Sequence, residues 1–316
     1  MADSYIDSAA LALTDVKAAA QALAAGDLVA FPTETVYGLG ADACNNAAIA
    51  KIFAAKGRPS DHPLIVHVTS PSGVAHFAES VPAFAHQLIA TFWPGPLTVI
   101  LPRRPSVARA AAGGQDSIGL RCPSHPMALS LLRECQKLGI EGIAAPSANR
   151  FGRISPTMAA HVRDEFGNSL LVLDGGECDV GIESTIVDCT RGVPVMLRPG
   201  VLTMKQLEAA CGEKIYAQGE QLQAAPKASG TLESHYAPCA KLRLISFDDA
   251  VTLQAMPDMA SRAVYVLPTS PAQAAHELFA KLRELDQTGV QEICVTTPPA
   301  GEAWDGVRDR LTRAAA

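Results

Sequence analysis

The alternation of short apolar runs with helix-period segments over the first two thirds of the chain constrains its fold most. Apolar or β-branched runs stand at Leu28 to Phe31, Leu64 to Val68, Leu97 to Leu101, Ile118 to Leu120, Ile143 to Ala145, Leu170 to Leu173 and Thr185 to Val187. Helical patterns with recognisable ends lie between them. Ile49, Ile52 and Phe53 share one face of a helix for which Gly57 is the stop. Ser124 caps a second, with Pro126 in its first turn and Gly139 at its end, and Ser155-Pro156 opens a third that closes by Gly167. Strands this apolar are covered on both faces, so the pattern predicts an α/β domain on a mostly buried, mixed sheet. Ser80 to Pro102 carries no charge, yet Pro82, His86, Gln87 and the breaker Trp93-Pro94-Gly95-Pro96 divide it into a helix, a turn and a buried strand rather than a membrane span.

After Cys211 the periodicity fades. Gly212 to Pro238 holds Gly219, Pro226, Gly230 and Pro238 among many Ala, Gln and Ser, and an unpatterned segment this long reads as a lid or a linker. Beyond it, Leu242 to Ser246, Ala263 to Leu267 and Glu292 to Thr296 read as strands, with Pro271 to Thr288 and Glu302 to Arg313 as helices. That is the pattern of a small α/β unit with a parallel sheet. The predicted division is a large domain over residues 1–211, a linker or lid over 212–238 and a small domain over 239–316.

A chain of 316 residues with net charge −6 and a pI near 5.8 is a poor candidate for coating nucleic acid, which rests on neutralising phosphates; the bulk charge leaves a local basic groove open, and RNA binding is expected to be weak at most. Cys44, Cys122, Cys135, Cys178, Cys189, Cys211, Cys239 and Cys294 form no C-x-x-C pair, so nearly all of them read as small buried residues of a reducing compartment. The acidic start, Met1 to Asp7, lacks the order of a signal peptide, and a cytoplasmic protein without a membrane anchor is expected.

Two polar clusters carry the chemistry. Lys56-Gly57-Arg58-Pro59 follows a predicted helix, and a Lys and an Arg flanking a left-handed glycine are expected to converge on one point, as suits an oligophosphate. Pro146-Ser147-Ala148-Asn149 follows a predicted strand and offers neutral hydrogen bonds to a ribose or a phosphate edge. Singly, a solvated helix end and an ordinary turn account for each. Tyr37-Gly38-Leu39-Gly40 lacks the third glycine of a dinucleotide fold and reads as a tight turn, as does Gly175-Gly176; with no P-loop present, phosphates would bind through side chains. Thr33-Glu34-Thr35 presents hydroxyls to a cleft or merely forms a turn. His67, inside an apolar strand, reads as a satisfied core residue, and Asp42 and Glu34 are the nearest acids to the cluster without any spacing that requires a metal. Arg121 and Arg198 sit at strand mouths.

Taken in order, Phe31 to Gly40, Lys56-Gly57-Arg58-Pro59 with Pro63-Leu64, Trp93 to Thr98, Gly119 to Pro123, Pro146 to Asn149 and Ser184 to Asp188 resemble the YrdC family. His235-Tyr236-Ala237-Pro238 and the extra C-terminal unit resemble its longer, two-domain branch. The resemblance implies a large twisted mixed-sheet domain with a smaller Rossmann-like one. It implies threonylcarbamoyl-AMP synthase activity: L-threonine, bicarbonate and ATP, with Mg2+, give threonylcarbamoyl adenylate and pyrophosphate. The product feeds tRNA threonylcarbamoyl-transfer proteins that modify the adenosine beside the anticodon. By position it assigns Lys56, Arg58, Ser147 and Asn149 to catalysis at the nucleotide end, His62, Ser117, Ser155, Arg198, His235 and Tyr236 to further ATP contacts, and Thr35, His67, Arg121 and Ser184 to threonine, with Arg121 as a carboxylate fork; no metal ligand is assigned. The chain departs from the family at Leu232 and Ser234, where basic residues are usual, and at His62, where Asn is expected. A non-catalytic RNA-binding module and carbamoyl transfer from carbamoyl phosphate are the alternatives; the acidic pI counts against the first, and the missing cysteine pairs against the second.

Overall fold

The computed structural model describes residues 8–220, 226–230, 235–256 and 261–316. The large sheet is mixed and has ten strands: β1 Val29–Phe31, β2 Gly38–Asp42, β3 Ile65–His67, β4 Leu97–Pro102, β5 Ser117–Arg121, β6 Ile143–Ala144, β7 Leu171–Val172, β8 Thr185–Asp188, β9 Val195–Arg198 and β10 Tyr216–Ala217. Their spatial order is β10-β9-β8-β4-β5-β3-β6-β2-β1-β7. Each of the seven predicted runs became a strand, within one or two residues at its ends. The core on one face packs Leu39, Ile49, Ile52, Phe53 and Val66 together, and the core on the other packs Leu23, Phe31, Leu131, Leu132 and Ile143.

The predicted tight turn at Tyr37 to Gly40 is instead the start of β2. Its glycines fail by propensity but succeed by fit: a Cβ on Gly40 would lie 2.8 Å from both Ile143 Cγ2 and the Phe31 ring. Packing therefore overrides the low strand preference of glycine. β2 also fixes the loop after β6, since Leu39 N donates to Pro146 O and Ala148 N to Tyr37 O, both at 2.8 Å.

Helix Asn46–Lys56 starts where the Asn45 side chain accepts from Ala47 N and Ala48 N, and Gly57 ends it in a left-handed turn (φ 63°, ψ 31°). Two helix starts differ from expectation. Helix Pro126–Lys137 is capped by the His125 side chain rather than by Ser124. The third helix begins at Ala159, not at Ser155-Pro156, because Ser155 is fully buried with its hydroxyl donated to Glu183. Within the segment read as unpatterned, β10 extends the sheet edge beside β9.

The second sheet is small and parallel, in the order β11-β13-β12, from β11 Lys241–Ile245, β12 Arg262–Tyr265 and β13 Glu292–Thr296. Leu278, Phe279 and Leu282 of helix Pro271–Gln287, Val307 and Leu311 of helix Asp305–Ala314, and Trp304 just before that helix pack in its core. Helix Phe247–Gln254, capped by Ser246, was not evident in the sequence. Among the described residues, no helix is long and apolar enough to cross a membrane.

Gly40→Ala should cost about 1–3 kcal/mol, the usual range for overpacking a filled core. Urea unfolding of the whole chain, with the slope unchanged and the midpoint lowered, measures it.

Candidate functional site

The site is assembled where strand ends meet loops. β3 and β5 run parallel with His67 opposite Arg121, so these two side chains leave the sheet side by side. Arg121 Nη1 donates to Thr35 Oγ1 at 2.8 Å and Nε to Gly95 O at 3.3 Å. Its Nη2 lies 2.7 Å from Glu34 Oε1, an ion pair at an angle poor for a hydrogen bond. Glu34 Oε2 accepts from Ser124 N at 3.0 Å, which ties the loop after β1 to the end of β5. The fork expected to be open is thus partly held by Glu34 and Thr35, because a guanidinium this buried needs partners of its own. Thr33 Oγ1, 2.9 Å from Thr35 Oγ1, donates to Val36 O and completes this corner.

The spacing led us to expect Lys56 and Arg58 to converge on one point, but they take different partners: Lys56 Nζ donates to Ser147 O at 2.6 Å and to Asn149 O, whereas Arg58 Nη2 reaches Pro63 O at 3.0 Å and Ser229 Oγ at 3.3 Å. Asn149 Nδ2 donates to Arg150 O and Arg153 O, both at 2.8 Å. Lys56 and Asn149 therefore shape the loop that presents Ser147. The cation that joins Arg58 is Arg198. Its Nε and Nη2 bind Ser184 O at 3.1 and 3.0 Å, and its Nη1 binds Ser229 O at 3.0 Å. Ser184 Oγ in turn lies 2.8 Å from Thr98 Oγ1.

Arg58, Ser147, Arg198, His235 and Tyr236 share one cavity with Thr35, His67, Arg121 and Ser184, so most residues singled out in the sequence meet there. The cavity is about 40 Å³, room for a few waters only, because Ser229 and Gly230 fold into its mouth. Gly230 has φ 72°, and a Cβ there would lie 2.2 Å from Tyr236 Oη and 2.8 Å from Arg198 Nη1. Leu232 and Ser234 lie outside the described residues. Buried polar atoms without a hydrogen-bond partner among the described residues gather at this place: Arg58 Nε, His67 Nδ1, His235 Nδ1 and Tyr236 Oη, with Asn149 Oδ1 just behind. Unsatisfied groups are rare in protein interiors, and such a group of them marks a ligand's position.

Five assigned residues do not line the cavity: Lys56 and Asn149, which shape the Ser147 loop, and His62, Ser117 and Ser155. His62 packs edge-on against Phe151, ring centres 5.6 Å apart, and Phe151 in turn lies 5.8 Å from the Arg58 guanidinium. Ser117 lines a small neighbouring cavity that it shares with Ser229. Ser155 supports Glu183 from behind. Glu183 itself was missed. It lines the main cavity, and nothing in its sequence neighbourhood marks it, because its charged partner, Arg310, lies in the small domain: Arg310 Nε donates to Glu183 Oε2 at 2.7 Å.

The electrostatics favour an anion. Burial, and then Arg58, hold the Lys56 amine well below its usual range; burial pushes Arg58 down to about 10, with Arg198 adding to the effect; burial and then Arg310 lower Arg198. Cations crowded in a dry place repel one another, and a polyphosphate relieves that repulsion. Burial alone would raise Glu183, but Arg310 and Arg198 outweigh it and keep its carboxyl below the usual range. Among the described residues no three His, Cys, Asp or Glu are grouped to hold a metal, and both Glu183 oxygens are already engaged.

A family model described as telomere recombination, covering Sua5, YciO and YrdC proteins, matches residues 21–200, and one described as threonylcarbamoyl-AMP synthase, C-terminal domain, matches residues 202–316. A threonylcarbamoyl-AMP synthase of Pyrococcus abyssi is 38% identical over 301 residues, spanning 88% of this chain and 87% of the relative. One from Bacillus subtilis is 44% identical over 229 residues, spanning 72% of this chain and 65% of the relative. The crystal structure of P. abyssi Sua5 complexed with L-threonine is similar at TM-score 0.86 and 36% identity, covering 96% of this chain and 94% of that one. Escherichia coli YciO, at 23% identity and TM-score 0.53, covers 62% of this chain and 93% of its own and shares the fold.

Burial first, and then neighbouring cations, hold His67 and His235 neutral, each pushed down to about 3. In the unfolded chain both take up protons near pH 6.5, so unfolding gains protons and stability falls as pH drops below that value. From pH 6.5 to 5, where most carboxylates stay ionised, each should contribute a slope approaching about 1.4 kcal/mol per pH unit. Urea midpoints across that range should fall, and fall less steeply for His67→Gln.

Proposed function

The chain belongs to the two-domain Sua5/YrdC family, and on that premise we propose that it makes threonylcarbamoyl-AMP from L-threonine, bicarbonate and ATP, releasing pyrophosphate, for threonylcarbamoyl modification of tRNA. The observation that carries the reading is the single cavity with two chemically distinct walls. Arg58 and Arg198 offer charge to phosphates, while Arg121, Thr35, Ser184 and His67 offer a smaller polar corner to an amino acid. Of the five N–H donors of Arg121, two make hydrogen bonds, and Nη2, although it lies against Glu34, makes none, so donors are left for a carboxylate.

The chemistry asks little of a base. Threonine carbamate is already an anionic nucleophile, and its attack on the α-phosphate needs alignment and charge neutralisation. Arg58 and Arg198 neutralise the phosphates as pyrophosphate leaves. The Ser147 hydroxyl, on the loop that Lys56 holds, donates or accepts at the nucleotide end, and Asn149 Oδ1 accepts there. Magnesium brought in with ATP would supply further neutralisation, and among the described residues no cluster of side chains is grouped to hold it. Carbamates lose carbon dioxide and mixed anhydrides hydrolyse, so the tight cover over the cavity protects both.

In this reading residues 1–211 form the catalytic domain, 212–238 a lid and 239–316 a supporting domain. A cavity of about 40 Å³ cannot admit ATP, so Ser229-Gly230 must leave Arg58 and Arg198 for substrate to enter, and His235 and Tyr236 then meet the adenylate. The labile product passes to tRNA-modifying transfer proteins, and the eight unpaired cysteines fit a reducing cytoplasm.

Arg58→Ala should lower the rate of pyrophosphate release about 30- to 1,000-fold, the effect of losing about 2–4 kcal/mol of transition-state stabilisation, with folding unchanged by circular dichroism. Release with ATP, bicarbonate and each amino acid in turn tests the substrate. Valine, which lacks the hydroxyl that Thr35 and Ser184 would pair, should be rejected strongly, and serine by a smaller factor on the order of ten. Equal release with valine would show the amino-acid corner to be misassigned.

A further inference from the structure

The main cavity is walled by cations, yet it contains a buried carboxylate, Glu183. A carboxylate facing a triphosphate opposes binding unless something cancels its charge. Both of its oxygens are engaged: Oε1 accepts from Ser155, and Oε2 accepts from Arg310 Nε at 2.7 Å. Arg310 belongs to the second sheet's cover, in helix Asp305–Ala314. It is 1% exposed, and it also donates Nη2 to Glu183 O at 3.2 Å and Nη1 to Pro199 O at 2.9 Å. Its guanidinium lies 5.2 Å from the ring centre of Tyr236.

The seat of this helix is tight. A Cβ on Gly306 would lie 2.5 Å from Gly200 O and 2.8 Å from Ile182 Cδ1, so the helix backbone rests directly on the two loops that frame Glu183. Asp309, the other acid touching Arg310, has Arg313 as a second partner at 2.9 Å. Among the described residues Arg310 is the one cation in ion-pair contact with Glu183, Arg198 acting on it only from farther off.

We infer that Arg310 is a positioning residue of the nucleotide site, supplied by the small domain, which neutralises and holds Glu183 so that the cavity can accept a triphosphate. This rests on the reading of the cavity as an ATP site. Arg310 touches no substrate and acts through Glu183, which distinguishes it from Arg58 and Arg198. The small domain then completes the nucleotide site electrostatically as well as packing beside it.

Binding of ATP with magnesium, read by titration calorimetry without threonine, tests this in the full-length chain. Arg310→Met should weaken ATP binding at least tenfold. The Glu183→Gln/Arg310→Met pair, which leaves no lone buried charge, should return it to within fivefold of the wild type. A purely structural role predicts the opposite order, with the pair as weak as the single variant or weaker. Should Arg310→Met fail to fold, the pair carries the test alone: affinity within fivefold of wild type supports the inference, and a larger loss overturns it. Normal wild-type binding with an unaffected Arg310→Met sinks the inference and leaves the ATP site standing. Wild-type protein that binds no ATP sinks the reading of the cavity, and the inference with it.

Discussion

Buried guanidinium groups need partners, and that requirement organises the loops around the cavity. Arg58, Arg121, Arg198 and Arg310 are almost fully buried. An unpaired charge in such a place costs several kcal/mol, so carbonyls and carboxylates have to be brought to each. Arg121 gathers Glu34, Thr35 and Gly95; Arg198 gathers Ser184 and Ser229; Arg310 gathers Glu183 and Pro199. These partners lie in different loops, and the arginines fix the loops relative to one another. Rigid positioning of this kind suits a reaction that needs alignment more than proton transfer.

The same logic explains the division of labour between neighbouring residues in the two polar clusters. Lys56 ends a helix and turns back onto the carbonyls of Ser147 and Asn149, whereas Arg58, past the left-handed glycine, reaches the cavity wall. A primary ammonium with three donors is well suited to gathering carbonyls at a point. A planar fork is better suited to spanning Pro63 and Ser229 while one edge stays available.

The large sheet was legible because its strands are apolar runs bounded by clear breakers, as at Leu97 to Leu101 after Trp93-Pro94-Gly95-Pro96. β2 was not, because glycine carries no strand signal and only the proximity of Phe31 and Ile143 makes it necessary there. At the site, motif residues such as Arg58, Ser147 and Arg121 stood out through their resemblance to a known pattern. Glu183 did not, since its meaning depends on Arg310, 127 residues further on. Ser155 likewise read as a helix opening, because its burial beneath Glu183 is a tertiary fact. Local chemistry is visible in sequence when neighbours supply it; charge compensation across two domains is not.

Tyr236 adopts φ 65°, the left-handed region that a bulky side chain rarely enters. Its ring stacks on Phe279 of the small domain, with centres 5.5 Å apart, and its fully buried hydroxyl sits over Gly230. A left-handed backbone at such a residue costs roughly 1–2 kcal/mol, and the stacking contact offsets a similar amount. A change at Phe279 would therefore act on a strained backbone beside the cavity from a residue that does not itself line it.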